Sequence, residues 1–371
     1  MLKGAESTLR ELTERAEWTL EELFRNYAER WWQIDSIYLE LEATWSTLGS
    51  ELQALAQKAA GAYREYLDLL GQKAAEALED VGKWEVAGWK PQREVIRGFI
   101  GPDEADFALI LVDALRMDLA KRLAKMLEDE AVIEEVFTLA SLPSVTPVGM
   151  GAMIPVEGAL NVEISKGKLT CRTDGNELNS REIRSRLWRQ IYPTLKVLTL
   201  DEASEKELKE RPLLILSREI DQEEESLRAL QVNTFEHILK RLYSLVRRLL
   251  KEGFSKVIIA SDHGFLWLPR GGMPSVISDV RSSDIVLERR FALGKIPEVA
   301  GIIRLSLPKA GLQGEGYLAF PRGLSVFSQS GPLSSFLHGG FLPQETALVT
   351  LVVRPSTIPL QVKIIGPEKI D

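Results

Sequence analysis

The chain has 371 residues, with 46 Lys plus Arg against 54 Asp plus Glu and a formal charge of −8. That balance disfavours holding long duplex by phosphate contacts alone, which needs a basic footprint, but it is compatible with an enzyme of single phosphate groups, whose metal-ligating carboxylates count as negative. The one cysteine, Cys171, excludes a disulfide framework and a cysteine-based zinc module, and no apolar run approaches the roughly 18 residues of a spanning helix.

The opening Met1-Leu2-Lys3-Gly4-Ala5-Glu6 turns acidic before any apolar segment, so no secretory signal is expected and the protein is expected in the cytoplasm, away from membranes. Leu9, Leu12, Ala16, Leu20, Leu23, Tyr27, Trp31 and Ile34 then advance in steps of three and four, the spacing of one helical face. A second stripe runs through Leu48, Leu52, Leu55, Tyr63, Leu67 and Leu70. Two or three long helices are predicted, forming a coiled-coil-like module over residues 1–95. Trp18, Trp31, Trp32, Trp45 and Trp84 are assigned to these helices, with Trp89 just after. So much aromatic area on a narrow bundle predicts docking, either onto the rest of the chain or onto a protein partner or second copy.

Pro91 and Gly101-Pro102 mark the boundary to a second domain over 96–371. There the pattern becomes short apolar runs separated by helical stretches: Phe107–Val112, Leu213–Leu216, a long amphipathic helix around Leu227–Leu250, and Val257–Ala260. Near-continuous apolar strands between helices predict an α/β fold with a mostly parallel sheet covered on both faces. Residues of about 155–200 and 270–330 break the rhythm and are predicted to be insertions.

In such sheets the functional crevice lies beyond the carboxyl ends of the strands. The three runs lead into Asp113, through Ser217-Arg218-Glu219-Ile220 to Asp221, and into Asp262-His263-Gly264. Carboxylates gathered at one edge repel one another unless cations offset them, which points to metal. Taken singly, Asp113 also fits a helix cap and Asp262 a turn. Pro147 favours the first helical position, which makes Thr146 the expected cap of the next helix; a hydroxyl there, beside a metal, is an activated nucleophile. Of three histidines, His237 lies mid-helix, whereas His338 precedes two glycines and is a late ligand candidate.

Val112-Asp113-Ala114-Leu115-Arg116, Leu142-Pro143-Ser144-Val145-Thr146, Ser217 to Asp221, Ser261-Asp262-His263-Gly264 and His338-Gly339-Gly340 follow the order seen in PglZ domains, which this chain resembles over roughly 105–355. The resemblance implies an alkaline phosphatase-like core and a two-metal phosphoryl-transfer site. It implies Asp113, Thr146, Asp262 and His263 at one ion, with Thr146 as nucleophile, and Asp221, Glu225 and His338 at the other. Alkaline phosphatases have a histidine four residues after the second-site aspartate; here that position is Glu225, as PglZ domains tend to have, and Glu224 is an alternative. Family members contain zinc, while the oxygen-rich ligand set also suits manganese. Arg116, one turn past Asp113, is expected to bind non-bridging oxygens as a fork, with Arg218 and Arg270 as weaker choices. The function implied is a metal-dependent phosphodiesterase, with nuclease activity and a setting in phage defence or signalling. A phosphomonoesterase or phosphomutase on a small metabolite, or a PglZ-like scaffold without turnover, are the rival readings.

Overall fold

A computed structural model describes residues 2–101, 103–220, 228–280 and 284–356, with 228–231 by their backbone alone. The amino-terminal part consists of α1 (Leu2–Glu14), α2 (Leu20–Asn26), a π-helical turn (Tyr27–Trp31), α3 (Trp32–Thr44) and the long α4 (Ser50–Val81). The first apolar stripe is therefore not one helix. Thr19 starts a new helix through a capping box, its hydroxyl accepting from Glu22 N at 3.2 Å while Glu22 Oε2 accepts from Thr19 N at 3.1 Å. The second stripe fails at its start: Leu48 precedes α4, and Leu52 and Leu55 are 56% and 52% exposed, whereas Tyr63, Leu67 and Leu70 are fully buried. Gly82, at φ 65°, ends α4 by donating to Leu78 O at 2.8 Å.

Beyond it follow β1 (Lys90–Pro91), α5 (Gln92–Phe99), β2 (Ala108–Val112), α6 (Met117–Leu127), β3 (Ala131–Leu139) and α7 (Thr146–Ala152). The stretch around 155–200 supplies a small antiparallel sheet of β4 (Asn161–Ser165), β5 (Lys168–Thr173) and β6 (Asn176–Glu177), then α8 (Arg181–Ile191) and β7 (Lys196–Thr199). Then come α9 (Leu200–Glu205), β8 (Leu213–Ser217), α10 (Arg228–Lys251) and β9 (Val257–Ser261). The 270–330 region holds a four-stranded antiparallel sheet, and short strands accompany it: β10 (Leu266–Trp267), β11 (Val276–Ile277), β12 (Ile285–Leu287), β13 (Ala292–Gly294), β14 (Ile302–Ser306), β15 (Tyr317–Pro321), β16 (Val326–Phe327) and β17 (Phe336–Leu337). The short α11 (Pro343–Thr346) leads into β18 (Ala347–Pro355).

The main sheet has the order β1-β3-β18-β9-β2-β8-β7, and β18 alone runs against the others. The three apolar runs expected from the sequence are three adjacent strands of it, β9-β2-β8; β1, β3, β7 and β18 are additional strands without an expectation from sequence. Val112 pairs in register with both Ser217 and Ser261. The residues that follow β2 and β9, Asp113 and Asp262, are therefore neighbours at one edge.

The amino-terminal helices dock within the chain: α3 packs on α6 and α10, and one continuous core runs from Leu12 and Trp31 into β2 and β9. Trp18, Trp31, Trp84 and Trp89 are buried in it. Trp84 lies past the end of α4, not in a helix, and its indole N–H donates to Ala140 O at 2.7 Å. The aromatic area that suggested a docking surface is thus largely consumed in cis. Buried polar groups seal the joint. Tyr27 and Tyr63 hydroxyls donate to Asp35 at 2.7 and 2.6 Å, and burial pushes the Asp35 carboxyl up to about 6. Among the described residues no helix is long and apolar enough to cross a membrane.

Candidate metal and phosphoryl-transfer site

Asp113, Asp262 and His263 are buried, and each offers one ligand atom such that all three lie within 4.8 Å of one another. The local chain explains why. After β2 the backbone turns sharply through Ala114, a non-glycine residue at φ 61°, a conformation that costs an ordinary L-residue about 1–2 kcal/mol. The turn is held across the sheet: Ala114 N donates to Asp262 Oδ1 at 3.0 Å and Leu115 N to Ser261 Oγ at 2.8 Å. Ser261 Oγ in turn donates to His263 O at 2.8 Å, and His263 N donates to Asp262 Oδ1 at 2.9 Å.

His263 Nδ1 lies 2.9 Å from Gly264 O. A proton on Nδ1 satisfies that carbonyl and leaves Nε2 with its lone pair. Nε2 lies 3.5 Å from both Asp113 Oδ1 and Asp262 Oδ2. Two buried carboxylate oxygens and one imidazole nitrogen gathered within 4.8 Å of one another form a donor set that fits a divalent cation.

Thr146 stands over this group, its Oγ1 3.3 Å from Asp113 Oδ1 and 3.3 Å from His263 Nε2. It heads α7 instead of capping it: Val145 is the cap, and no side chain caps this helix. The hydroxyl is thereby turned toward the carboxylate rather than toward backbone N–H groups. His338 stacks on His263, ring centroids 4.4 Å apart and planes 10° off parallel, with Nδ1 3.4 Å from Ser144 O. Asp221, Glu224 and Glu225 lie outside the described residues.

Arg116 is placed differently from the sequence expectation. Its guanidinium is fully buried away from any fork on a phosphate, bonded to Asp118 through Nε at 2.6 Å and Nη2 at 2.9 Å and lying over the Phe265 ring at 4.3 Å. The side chain that follows the turn points into the joint with the amino-terminal helices, where Asp118 completes its charge. Arg270 is likewise tied to those helices, by Nε to Glu42 Oε2 at 2.8 Å and by its backbone N to Tyr38 Oη at 3.1 Å. Arg218 does line a narrow slot with Asp113 and Thr146, together with Arg181 and Arg184 from α8.

Several supporting residues carry no sequence signal of their own. Gln92 Nε2 donates to Ser261 O at 2.9 Å and Asp262 O at 2.7 Å, while its Oε1 accepts from Ser141 N at 3.0 Å, tying the strand end to the loop before Thr146. Ser144 Oγ accepts from Gly339 N at 3.1 Å and donates to Gly340 O at 2.7 Å, which sets the loop of His338. Gly149 lets α7 lie against the strand end; a Cβ there would sit 2.3 Å from Asp262 O. Gly149→Ala is accordingly expected to cost about 1–3 kcal/mol by overpacking and to weaken metal affinity. Denaturant unfolding and metal titration of the variant check both effects, and wild-type values in each would contradict this close approach.

An α/β domain with a mostly parallel sheet and a cluster of cation-competent side chains at the carboxyl ends of its central strands is an alkaline phosphatase-like architecture. Residues 92–352 match the model of the BREX system PglZ alkaline phosphatase-like domain, and the chain belongs to that family. Among solved structures it is similar to murine ectonucleotide pyrophosphatase/phosphodiesterase 5, with 11% identity, a TM-score of 0.47, and 67% of this chain and 87% of that one covered. The human counterpart gives 12% identity, a TM-score of 0.45, and 67% and 87% coverage. Phosphonoacetate hydrolase from Sinorhizobium meliloti 1021 gives 12% identity, a TM-score of 0.41, and 66% and 89% coverage. At this level the neighbours bear on neither substrate nor mechanism. No curated protein sequence matches the chain.

Proposed function

We propose that the chain is a metal-dependent phosphoric ester hydrolase that cleaves phosphodiesters with Thr146 as nucleophile. The observation that carries this reading is the position of Thr146 Oγ1, 3.3 Å from both Asp113 Oδ1 and His263 Nε2, above a buried cation-competent donor set. Asp113, Asp262 and His263 would hold one divalent ion on this reading, and His338 with Asp221 and Glu225 would hold a second. Bound cations supply Lewis-acid stabilisation and lower the pKa of a neighbouring hydroxyl.

The chain's own groups do the rest. Asp113 accepts the Thr146 proton as Oγ1 attacks phosphorus, the bond to the departing oxygen breaks on the opposite side, and that alkoxide takes a proton from solvent water. Water then attacks the phosphothreonine and gives up a proton to solvent, the Thr146 O–P bond breaks, and Asp113 returns its proton to Oγ1. The Nδ1 contact to Gly264 O keeps His263 oriented throughout.

A cleft of about 1120 Å³ opens beside the site, lined by Val145, Pro147, Lys168, Phe291, Phe336 and His338. Its size supports an ester with a bulky group on the alcohol side, hence a diester rather than a small monoester. Membership of the BREX-type PglZ family supports a setting in cytoplasmic phage defence, with a nucleotide or nucleic acid as the phosphate ester.

The test compares bis(4-nitrophenyl) phosphate with 4-nitrophenyl phosphate on metal-loaded protein, before and after chelation. The diester is expected to be the faster substrate. Chelation is expected to lower the rate by at least about 10³-fold, with recovery on adding zinc or manganese. A monoester preference returns the phosphatase reading, and metal-free protein without turnover of either ester returns the scaffold reading.

A further inference from the structure

The slot between α8 and the carboxyl ends of β2 and β8 is lined by the proposed nucleophile and by three arginines. Asp113, Thr146, Met150 and Ser217 line it with Arg181, Arg184 and Arg218. Arg184 and Arg181 are half-buried, and Arg218 is exposed. Arg184 is anchored from behind, Nη1 donating to Leu178 O at 2.6 Å and Asn179 O at 3.1 Å. Among the described residues its Nε and Nη2 make no hydrogen bond, and none of the three guanidinium groups forms an ion pair with a carboxylate.

Three cations sharing one slot repel one another. Burial, with the Arg218 charge, presses the Arg184 pKa below the ordinary arginine range, while Asp262 and Asp113 oppose that shift. A lone phosphodiester carries one negative charge, less than three guanidinium groups can engage. An anchored planar fork with free donors is also the geometry that phosphate oxygens accept bidentately.

We propose that Arg181, Arg184 and Arg218 form a subsite for a second phosphate beside the scissile one, so that the substrate class is an ester carrying two neighbouring phosphates. This rests on the reading of Thr146 as nucleophile, since that residue marks where the scissile phosphorus sits. Arg184, anchored on Leu178 O and Asn179 O, is the fixed member of the subsite, and Arg181 and Arg218 complete it. Two sources share this chemistry, a phosphoanhydride and an oligonucleotide.

Calorimetric titration of the full chain, loaded with manganese at a fixed free concentration, tests the subsite without requiring turnover. The probes are inorganic phosphate, inorganic pyrophosphate and the 5′-phosphorylated dinucleotide pTpT. Wild-type protein is expected to bind pyrophosphate or pTpT at least about tenfold more tightly than phosphate, and Arg184→Gln and Arg181→Gln are each expected to lose about tenfold of that affinity with metal content unchanged. Arg181 makes no backbone anchor, so its variant separates ligand binding from any loosening of the 178–179 loop. Preference for pyrophosphate assigns the anhydride source, and preference for pTpT the nucleic acid source. Equal affinity for all three probes, or a preference that survives in both variants, overturns the subsite. Thr146→Ala is expected to keep the preference while losing turnover, so failure of the nucleophile and failure of the subsite are read separately.

Discussion

Thr146→Ala is expected to lower turnover of an activated phosphodiester by at least about 10³-fold while leaving the fold intact. The substitution removes one half-buried hydroxyl whose partners among the described residues belong to the site itself, Asp113 and His263. It caps no helix, so little stability goes with it. Thr146→Ser keeps the oxygen and is expected to stay within about tenfold of wild type, the loss coming from the freer rotation of an unbranched side chain. Steady-state rates on bis(4-nitrophenyl) phosphate, with circular dichroism and metal content measured alongside, check this pair. A Thr146→Ala protein that turns over at the wild-type rate removes the proposed nucleophile, whatever the metal analysis finds.

The second large effect is on stability and falls on Arg116. Truncating it to alanine leaves Asp118 buried without its bidentate partner, and breaking a buried pair from one side costs about 3–5 kcal/mol. The contact over the Phe265 ring is lost as well. Arg116 also lowers the pKa of Asp35, which burial has already pushed up to about 6; without the guanidinium, the Asp35 carboxyl moves further upward. Denaturant unfolding checks the loss, and Arg116→Met combined with Asp118→Leu is expected to recover most of it, because neither charge is then stranded. A variant of unchanged stability but reduced phosphodiester affinity would return Arg116 to the role expected from sequence.

The difference between Arg116 and Arg184 shows where the sequence stops being informative. Arg116 lies three residues past a site aspartate, yet its charge is neutralised two residues further on by Asp118. Arg184 stands 71 positions from Asp113, and only the fold of the 155–200 region brings α8 against β8 and the nucleophile. The joint with the amino-terminal helices is similar: Asp35, Tyr27, Tyr63 and Gln344 meet from four elements. Nothing in their spacing announces that meeting.

What the chain encodes locally is the strand-end chemistry. Three five-residue, mostly apolar strands, each followed at once by a charged residue (Asp113, Arg218 or Asp262), can pair in parallel register without burying charge. Val112, Ser217 and Ser261 align on that account, and Asp113 and Asp262 emerge side by side. Hydrophobic pattern alone suffices for this, since a slip would move a carboxylate into the sheet. The tertiary structure alone decided the left-handed turn at Ala114, the stacking of His338 on His263, and which arginine is consumed in the core and which remains available beside Thr146. Those outcomes depend on which distant surfaces pack together, and the burial of a charged group is settled by the partner it meets there rather than by its neighbours along the chain.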